Sequence, residues 1–274
     1  MDIRIIVSFK MDELRYAKRT KKILKFIFSN VSKEKRKSFF ENYLRRGLYS
    51  ANSMGVNVPL GFPIGSLCEV FFDKIYDMDG FIPKKEDTVI DVGAHTGDWT
   101  IYCAKVLQVN KIYGFEPLMD NVTHANSILS VNKCNNATIY QIALSDQDKE
   151  AVMEYNGTML GEIKIGSEKK VETIQFRRLD SFNLKCDLLK IDVEGFELEV
   201  LKGSIETIRK YRPKIILETH TKKLRNECNN FLESEGYNLK ITGRMLKGYN
   251  DKLPSGFDEV VNLFYQPRTI SNKT

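Results

Sequence analysis

Residues 88–97 read Thr-Val-Ile-Asp-Val-Gly-Ala-His-Thr-Gly. A short β-branched run closes on an acid, Asp91, and gives way to a turn with glycines at 93 and 97, after which the pattern becomes helical. Glycine lets a backbone approach a ligand closely, and the start of a helix turns N–H groups toward an anionic moiety. Such a strand, turn and helix predict a nucleotide or cofactor pocket at the C-terminal edge of a parallel sheet. A dinucleotide site would call for Gly-x-Gly-x-x-Gly, and Asp91 would repel a pyrophosphate. A ligand carrying positive charge fits better.

S-adenosylmethionine meets that requirement, with an ammonium for Asp91 and a carboxylate for the backbone of the turn through Gly93, His95 and Gly97. The next apolar run ends in Phe115-Glu116-Pro117, 25 residues beyond Asp91, where an acid can accept both hydroxyls of a ribose. The third run leaves through Ala143-Leu144-Ser145-Asp146. There Leu144 offers an apolar wall to an adenine ring, and Ser145 or Asp146 a hydrogen bond to its amine. An ordinary polar turn explains that segment equally well when it is taken alone.

Further along, residues 189–197 read Leu-Lys-Ile-Asp-Val-Glu-Gly-Phe-Glu, and residues 214–220 read Lys-Ile-Ile-Leu-Glu-Thr-His. Charges at the exit of a short apolar strand are costly unless paired, solvated or metal-bound. In a doubly wound sheet these two strands are neighbours, so Asp192, Glu194, Glu218 and His220 are expected to converge as candidate catalytic residues. His220 is the natural base by its intrinsic pKa. The carboxylates could orient a hydroxyl; they could also hold Mg²⁺, which is compatible with oxygen ligands but not favoured, so no metal ligand is assigned. Structural alternatives stand beside each: a salt bridge for Asp192, a helix-start acid for Glu194, a solvated loop for Glu218 and His220.

The remaining pattern agrees with an α/β chain. Apolar runs at 88–92, 111–115, 137–143, 188–192 and 214–218 alternate with helical stretches at 99–108, 118–132 and 197–210, the last stopped by Arg212-Pro213. Alternating pieces at 152–155 and 171–178 predict an antiparallel insertion, and 237–242 with 260–265 a closing strand pair. The expected fold is a Rossmann-like, doubly wound, mostly parallel seven-stranded sheet with an antiparallel last strand and an N-terminal helical extension.

At this point a resemblance is specific. Residues 81–100, Ile112–Pro117 (IYGFEP), 142–146 (IALSD), 190–203 (KIDVEGFELEVLKG) and 214–220 (KIILETH) resemble, in order and spacing, the FkbM-type S-adenosylmethionine-dependent methyltransferases. The resemblance covers about half the chain, and the 190–203 segment is its most discriminating part. It implies a class I methyltransferase fold and O-methylation of a hydroxyl on a sugar, glycan or small metabolite. The sequence departs from relatives at His95 and Thr96, where Asn and a small apolar residue are common.

Composition sets the outer bounds. The chain has 274 residues, 42% hydrophobic and 28% charged, the usage of an ordinary globular protein and not of a collagen, coiled coil or disordered chain. Five cysteines spaced 35, 31, 52 and 42 apart match neither a disulfide framework nor a zinc site. No run approaches the roughly 20 apolar residues of a membrane span. No charged segment followed by an apolar stretch opens the chain, so a cytoplasmic location is expected. Residues 1–50 hold 14 Lys/Arg against 5 Asp/Glu, so the basic excess sits there, on helices expected at 12–28 and 32–46. Residues 1–80 are therefore expected to form a basic extension or lid and 81–274 the cofactor-binding domain. A second reading, from another class, is a protein that holds or modifies RNA through Lys18, Arg19, Lys21, Lys22 and Lys25, or meets an anionic membrane surface with them. Strand four, however, ends in Ile-Asp-Val-Glu-Gly and lacks the Asn/Asp-Pro-Pro-aromatic turn of many nitrogen-directed base methyltransferases. A third is a binder that keeps the pocket without the chemistry. Oligomeric state is not readable from the sequence.

Overall fold

Five consecutive buried residues, Thr88–Val92, make strand β1, flanked on both sides by parallel strands. Such a strand is covered on both faces, which is why Val89, Ile90 and Val92 read as a run and not as an alternation, and why the one charge in it, Asp91, needs a partner. The computed structural model describes residues 33–155, 170–243 and 259–268. The expected helix at 12–28 and most of the last connection lie outside the described residues.

The main sheet takes the order β3-β2-β1-β7-β8-β10-β9, with β2 Lys111–Phe115, β3 Ala137–Tyr140, β7 Leu188–Ile191, β8 Lys214–Thr219, β9 Tyr237–Thr242 and β10 Val261–Pro267. All neighbours run parallel except β10, which is antiparallel to both β8 and β9. This is the Rossmann-like, doubly wound arrangement with its antiparallel closing strand. The chain winds outward from β1 to β3 and then returns to β7 on the other side of β1. The switch point therefore lies between β1 and β7, where open α/β sheets bind ligands beyond the strand ends.

Strand alternation sorts the core into two layers. Val89, Leu188 and Ile216 face one side, with Trp99, Ile101 and Ile112 and with Phe62, Leu67, Phe71 and Phe81 from before β1. Ile90, Leu189, Ile191, Ile215 and Leu217 face the other, against Val200, Ile208 and Leu232. By the same parity Asp91, Lys190 and Glu218 belong to the first face. Residues of the expected extension thus share the main core. Helix α1, Lys33–Ser53, buries Ala51, and the helical turn α2, Gly65–Leu67, continues through Cys68–Phe72. The five cysteines are free thiols, four of them buried. Among the described residues no helix is long and apolar enough to cross a membrane.

Helix α3, Asp98–Ile101, runs on as a wider π-type turn through Tyr102–Leu107, and α4 spans Met119–Val131. Two expected elements are broken. The run at 137–143 divides into β3 and β4, Ala143–Leu144. The latter joins a separate sheet, β4-β6-β5, in which β5, Lys149–Tyr155, and β6, Lys170–Arg177, form the expected antiparallel hairpin. The helix at 197–210 divides into α5, Glu197–Gly203, and α6, Ile205–Tyr211. At the break, Ser204 Oγ donates to the Val200 carbonyl at 2.7 Å, a back-bond that bends helices. Gly203 lies so close to β4 that a Cβ there would stand 1.9 Å from the Ser145 carbonyl oxygen. A final helix, α7, Lys222–Ser234, is capped by Thr221, whose hydroxyl accepts from the Leu224 N–H at 3.1 Å.

Candidate active site

Beyond the ends of β1, β2 and β7 lies a cavity of about 130 Å³. One water needs roughly 10–15 Å³, so the space suits an organic ligand. Its walls come from the turn after β1, the Glu116 region after β2, the loop after β7, the β4 strand and the 66–76 segment. The segment that the sequence sets off as an extension therefore supplies Ser66, Glu69, Val70 and Tyr76 to the cavity.

Gly93 and Gly97 have positive φ, +79° and +84°, which non-glycine residues rarely adopt. Gly93 is a wall residue because the tips of β1 and β7 nearly touch: a Cβ there would stand 1.8 Å from the Asp192 carbonyl oxygen. Gly97 serves packing instead, since its Cβ would meet that of Ala125 on α4 at 2.8 Å. The backbone of the turn departs from expectation. The Gly93 and Ala94 N–H groups both donate to the Phe115 carbonyl, and the His95 N–H donates to Glu116 Oε2 at 2.9 Å. These donors tie β1 to β2 and are already committed before any ligand carboxylate arrives.

Asp91 also stands differently from its expected role. It is wholly buried behind the cavity wall, accepting from Thr100 Oγ1 at 2.6 Å and from Lys190 Nζ at 3.1 Å. Its visible work is to fix α3 and Lys190, and it reaches the cavity only through them. Burial pushes its carboxyl upward, with Lys190 and Thr100 pulling the other way.

Glu116 does line the cavity. It accepts from the Leu118 N–H at 3.0 Å, from Asn121 Nδ2 at 3.1 Å and from His95. Burial nevertheless raises its pKa, the charge of His95 and these bonds offsetting only part of the effect. Leu144 lines the cavity beside Ile142, Ala143 and Phe176, giving an apolar wall. Ser145 is buried beside that wall, its N–H donating to the Arg177 carbonyl and its hydroxyl to Asp146 at 3.2 Å.

The opposite end is acidic. Asp192 and Glu194 line the cavity, and Glu218 and His220 stand behind them. His220 is 1% exposed, with Nε2 3.2 Å from Glu218 Oε1 and 3.5 Å from Glu194 Oε2. The four residues grouped from sequence thus meet. Burial lowers the pKa of His220, but the Glu218 hydrogen bond and the charges of Glu194, Glu218 and Asp192 outweigh it and lift the value to about 9. These carboxylates favour the charged imidazole over the neutral base that the intrinsic pKa suggests. Glu194 holds φ +56° and Gly195 +115°, so the loop turns sharply, and both the Val193 and Gly195 N–H groups donate to Glu197 Oε1. Burial drives Glu197 up to about 7.

Sequence reasoning passed over Lys190, Tyr76, Glu197 and Asn121. Lys190 is buried, donates to Asp91 and to the Gly93 carbonyl at 3.1 Å each, and sits over the rings of Tyr76 and Trp99 at 5.3 and 6.0 Å. Burial works against its charge, but the carboxylates of Asp91 and Asp192 hold the pKa above the ordinary lysine value. Tyr76 donates its hydroxyl to Asp192 Oδ2 at 3.2 Å. A lysine amid Leu188, Leu189 and Ile191, in phase with Asp91, is the signal that could have found the first. Tyr76 lies in a segment without a motif.

The sequence profile described as the Methyltransferase FkbM domain matches residues 91–239. Methyltransferase 1 of Beauveria bassiana is 26% identical over 162 residues, 49% of this chain and 64% of that protein. Methyltransferase sdnD of Sordaria araneosa is 26% identical over 213 residues, 62% of this chain and 80% of its own length. The crystal structure of the methyltransferase FkbM from Methylobacillus flagellatus superimposes with a TM-score of 0.50 at 15% identity, covering 80% of this chain and 59% of that one. The chain thus spans less than two thirds of the Beauveria and Methylobacillus proteins. The profile covers more than half of the chain, from the Asp91 turn through the strand-tip acids to β9, and the chain belongs to the FkbM methyltransferase family.

Proposed function

We propose that the protein transfers a methyl group from S-adenosylmethionine to a hydroxyl of a sugar, glycan or other small metabolite. One observation carries the reading: a single cavity has Glu116 and an apolar wall at one end and the Asp192–Glu194 acids at the other. A nucleoside suits the first end, and a sulfonium with its ammonium suits a pocket with surplus carboxylates. When bound, the cofactor supplies an electrophilic methyl on a good leaving group.

The chain's own residues then have mainly to align an acceptor oxygen and receive its proton. Asp192 suits that task. Its side chain retains 22% exposure, toward the cavity, and Tyr76 and Lys190 hold it in place. His220, set behind the acids beside Glu218 and Glu194, suits a supporting role. The basic residues that support an RNA reading lie outside the described residues, and nothing in the cavity favours it.

Calorimetric titration of the full chain with S-adenosylmethionine and with NAD, repeated on Glu116→Ala, tests the proposal. Binding of the sulfonium compound alone, weakened at least about ten-fold in the variant, is expected; a tenfold loss is about 1.4 kcal/mol. Binding of NAD and not of the sulfonium compound would refute it.

A further inference from the structure

We infer that Asp192, Glu218 and His220 form a site for one first-row divalent cation at the acceptor end of the cavity. The three come from the tip of β7, the end of β8 and the turn beyond it, and each offers one donor atom, all within 4.8 Å of one another. Ligands about 2.0–2.2 Å from a single ion are separated by about 3 Å when adjacent and by at most roughly 4.4 Å when opposite. The 3.2 Å between His220 Nε2 and Glu218 Oε1 is already an adjacent-ligand spacing, so the widest pair needs to close by only a few tenths of an ångström.

Two further features fit an ion. The first is charge. Asp192, Glu194 and Glu218 gather about one imidazole, while Lys190 is shared between Asp91 and Asp192 at 3.1 and 3.9 Å. A divalent ion offsets the carboxylate charge that remains. The second lies on the far side of the ring. Glu197 is wholly buried, with Oε1 4.0 Å from His220 Nδ1 and with Oε2 lacking a hydrogen-bond partner among the described residues. A metal-bound histidine typically presents its other nitrogen to a carboxylate, which fixes the tautomer and strengthens the ligand. Tyr76 and Lys190, 3.2 and 3.9 Å from Asp192 Oδ2, hold the carboxylate on the cavity side in the same way. One imidazole with two carboxylates suits Mn²⁺, Fe²⁺ or Zn²⁺ better than the all-oxygen set that Mg²⁺ prefers. The site's use rests on the methyl-transfer reading: an ion bordering the cavity at Asp192 would bind and orient the acceptor hydroxyl.

The test is titration of the full chain, freed of metal by chelator, with Mn²⁺, following the loss of the free-ion electron paramagnetic resonance signal. One bound Mn²⁺ per chain is expected. Glu218→Gln and His220→Gln should each weaken it at least about ten-fold, while Glu150→Gln on the exposed hairpin should leave it unchanged. Spin-echo modulation of the bound ion in the unaltered protein should show a directly coordinated imidazole nitrogen, a readout that does not depend on the variants folding. No binding at millimolar Mn²⁺, absence of that nitrogen, or unchanged binding in folded variants would overturn the inference. S-adenosylmethionine titration on the same preparation separates the two ideas. Cofactor binding without Mn²⁺ binding sinks the metal site alone, whereas Mn²⁺ binding without cofactor binding sinks the methyl-transfer reading alone.

Discussion

Lys190 Nζ lies 3.1 Å from Asp91 Oδ1, with side-chain exposures of 4% and 0%, and the two residues sit in register on adjacent strands β7 and β1. A charge pair in the middle of a sheet is a costly way to hold two strands, because both ions leave water. Here the pair also fixes the Gly93 carbonyl and faces Asp192, so it ties the fold directly to the cavity. Removing one partner strands the other. Lys190→Met is therefore expected to lower unfolding stability by about 3 kcal/mol. The double change Asp91→Asn with Lys190→Met should cost less than the sum of the single changes. Urea denaturation of the four proteins measures the difference, and additivity within about 0.5 kcal/mol would show that the pair is not coupled.

Gly93 gives a sharper steric test. A methyl group there meets backbone, not the end of a flexible side chain, and the residue already needs a left-handed φ. Gly93→Ala should cost about 2–4 kcal/mol and pry apart the β1 and β7 tips, reducing cofactor affinity as well. Gly195→Ala is the comparison: its φ is +115° but nothing stands within 4 Å of a Cβ there, so about 1 kcal/mol of backbone strain is expected. Equal melting temperatures for the two variants would contradict the close approach.

These two sites show what could be read ahead of the structure. The strands were legible as short, mostly apolar runs bounded by turn residues, and 88–92 and 111–115 coincide with β1 and β2. The convergence of Asp192, Glu194, Glu218 and His220 was legible because neighbouring parallel strands must end side by side. The break at Gly203-Ser204, where Ser204 bonds back to Val200, was not, and neither was the packing of Gly203 on the Ser145 carbonyl, which joins residues far apart in the sequence. Asp91 was assigned to the ligand because a sequence shows a charge without its partner, and the partner, Lys190, is 99 residues away. Tyr76 was invisible for the same reason: its link to Asp192 spans 116 residues.

Tyr76 separates packing from chemistry. Its ring lies against Trp99 and beneath Lys190, while its hydroxyl alone reaches Asp192. Tyr76→Phe keeps the ring and deletes one hydrogen bond to a carboxylate, a contribution of about 1.5–3 kcal/mol. Because Asp192 is partly solvated, most of that should appear in methyl transfer and little in folding. A fall of about ten-fold in kcat/KM with a melting temperature within a few degrees is expected. A large loss of stability with kcat/KM intact would make Tyr76 a core residue only.

Under the proposed function, Glu116 gives opposite pH signs for binding and for folding. Burial holds its carboxyl above the ordinary glutamate value, despite the charge of His95 and the donors from Leu118, Asn121 and His95. A folded-state pKa above the unfolded one means that the residue's contribution to stability is full below the unfolded value and is lost as pH rises through the folded value. The ionised form accepts from ribose hydroxyls with both oxygens and more strongly than the protonated acid, so cofactor binding runs the other way. Affinity should fall as pH drops toward the raised pKa, beginning at higher pH than an ordinary glutamate would allow. Glu116→Gln, which cannot ionise, should bind at least about ten-fold more weakly near pH 8 and show no acid-dependent loss of its own over the same range. Calorimetric titrations between pH 8 and 5 on both proteins give the comparison. Parallel pH profiles would mean that another group governs the acid limb and that Glu116 does not hold the ribose.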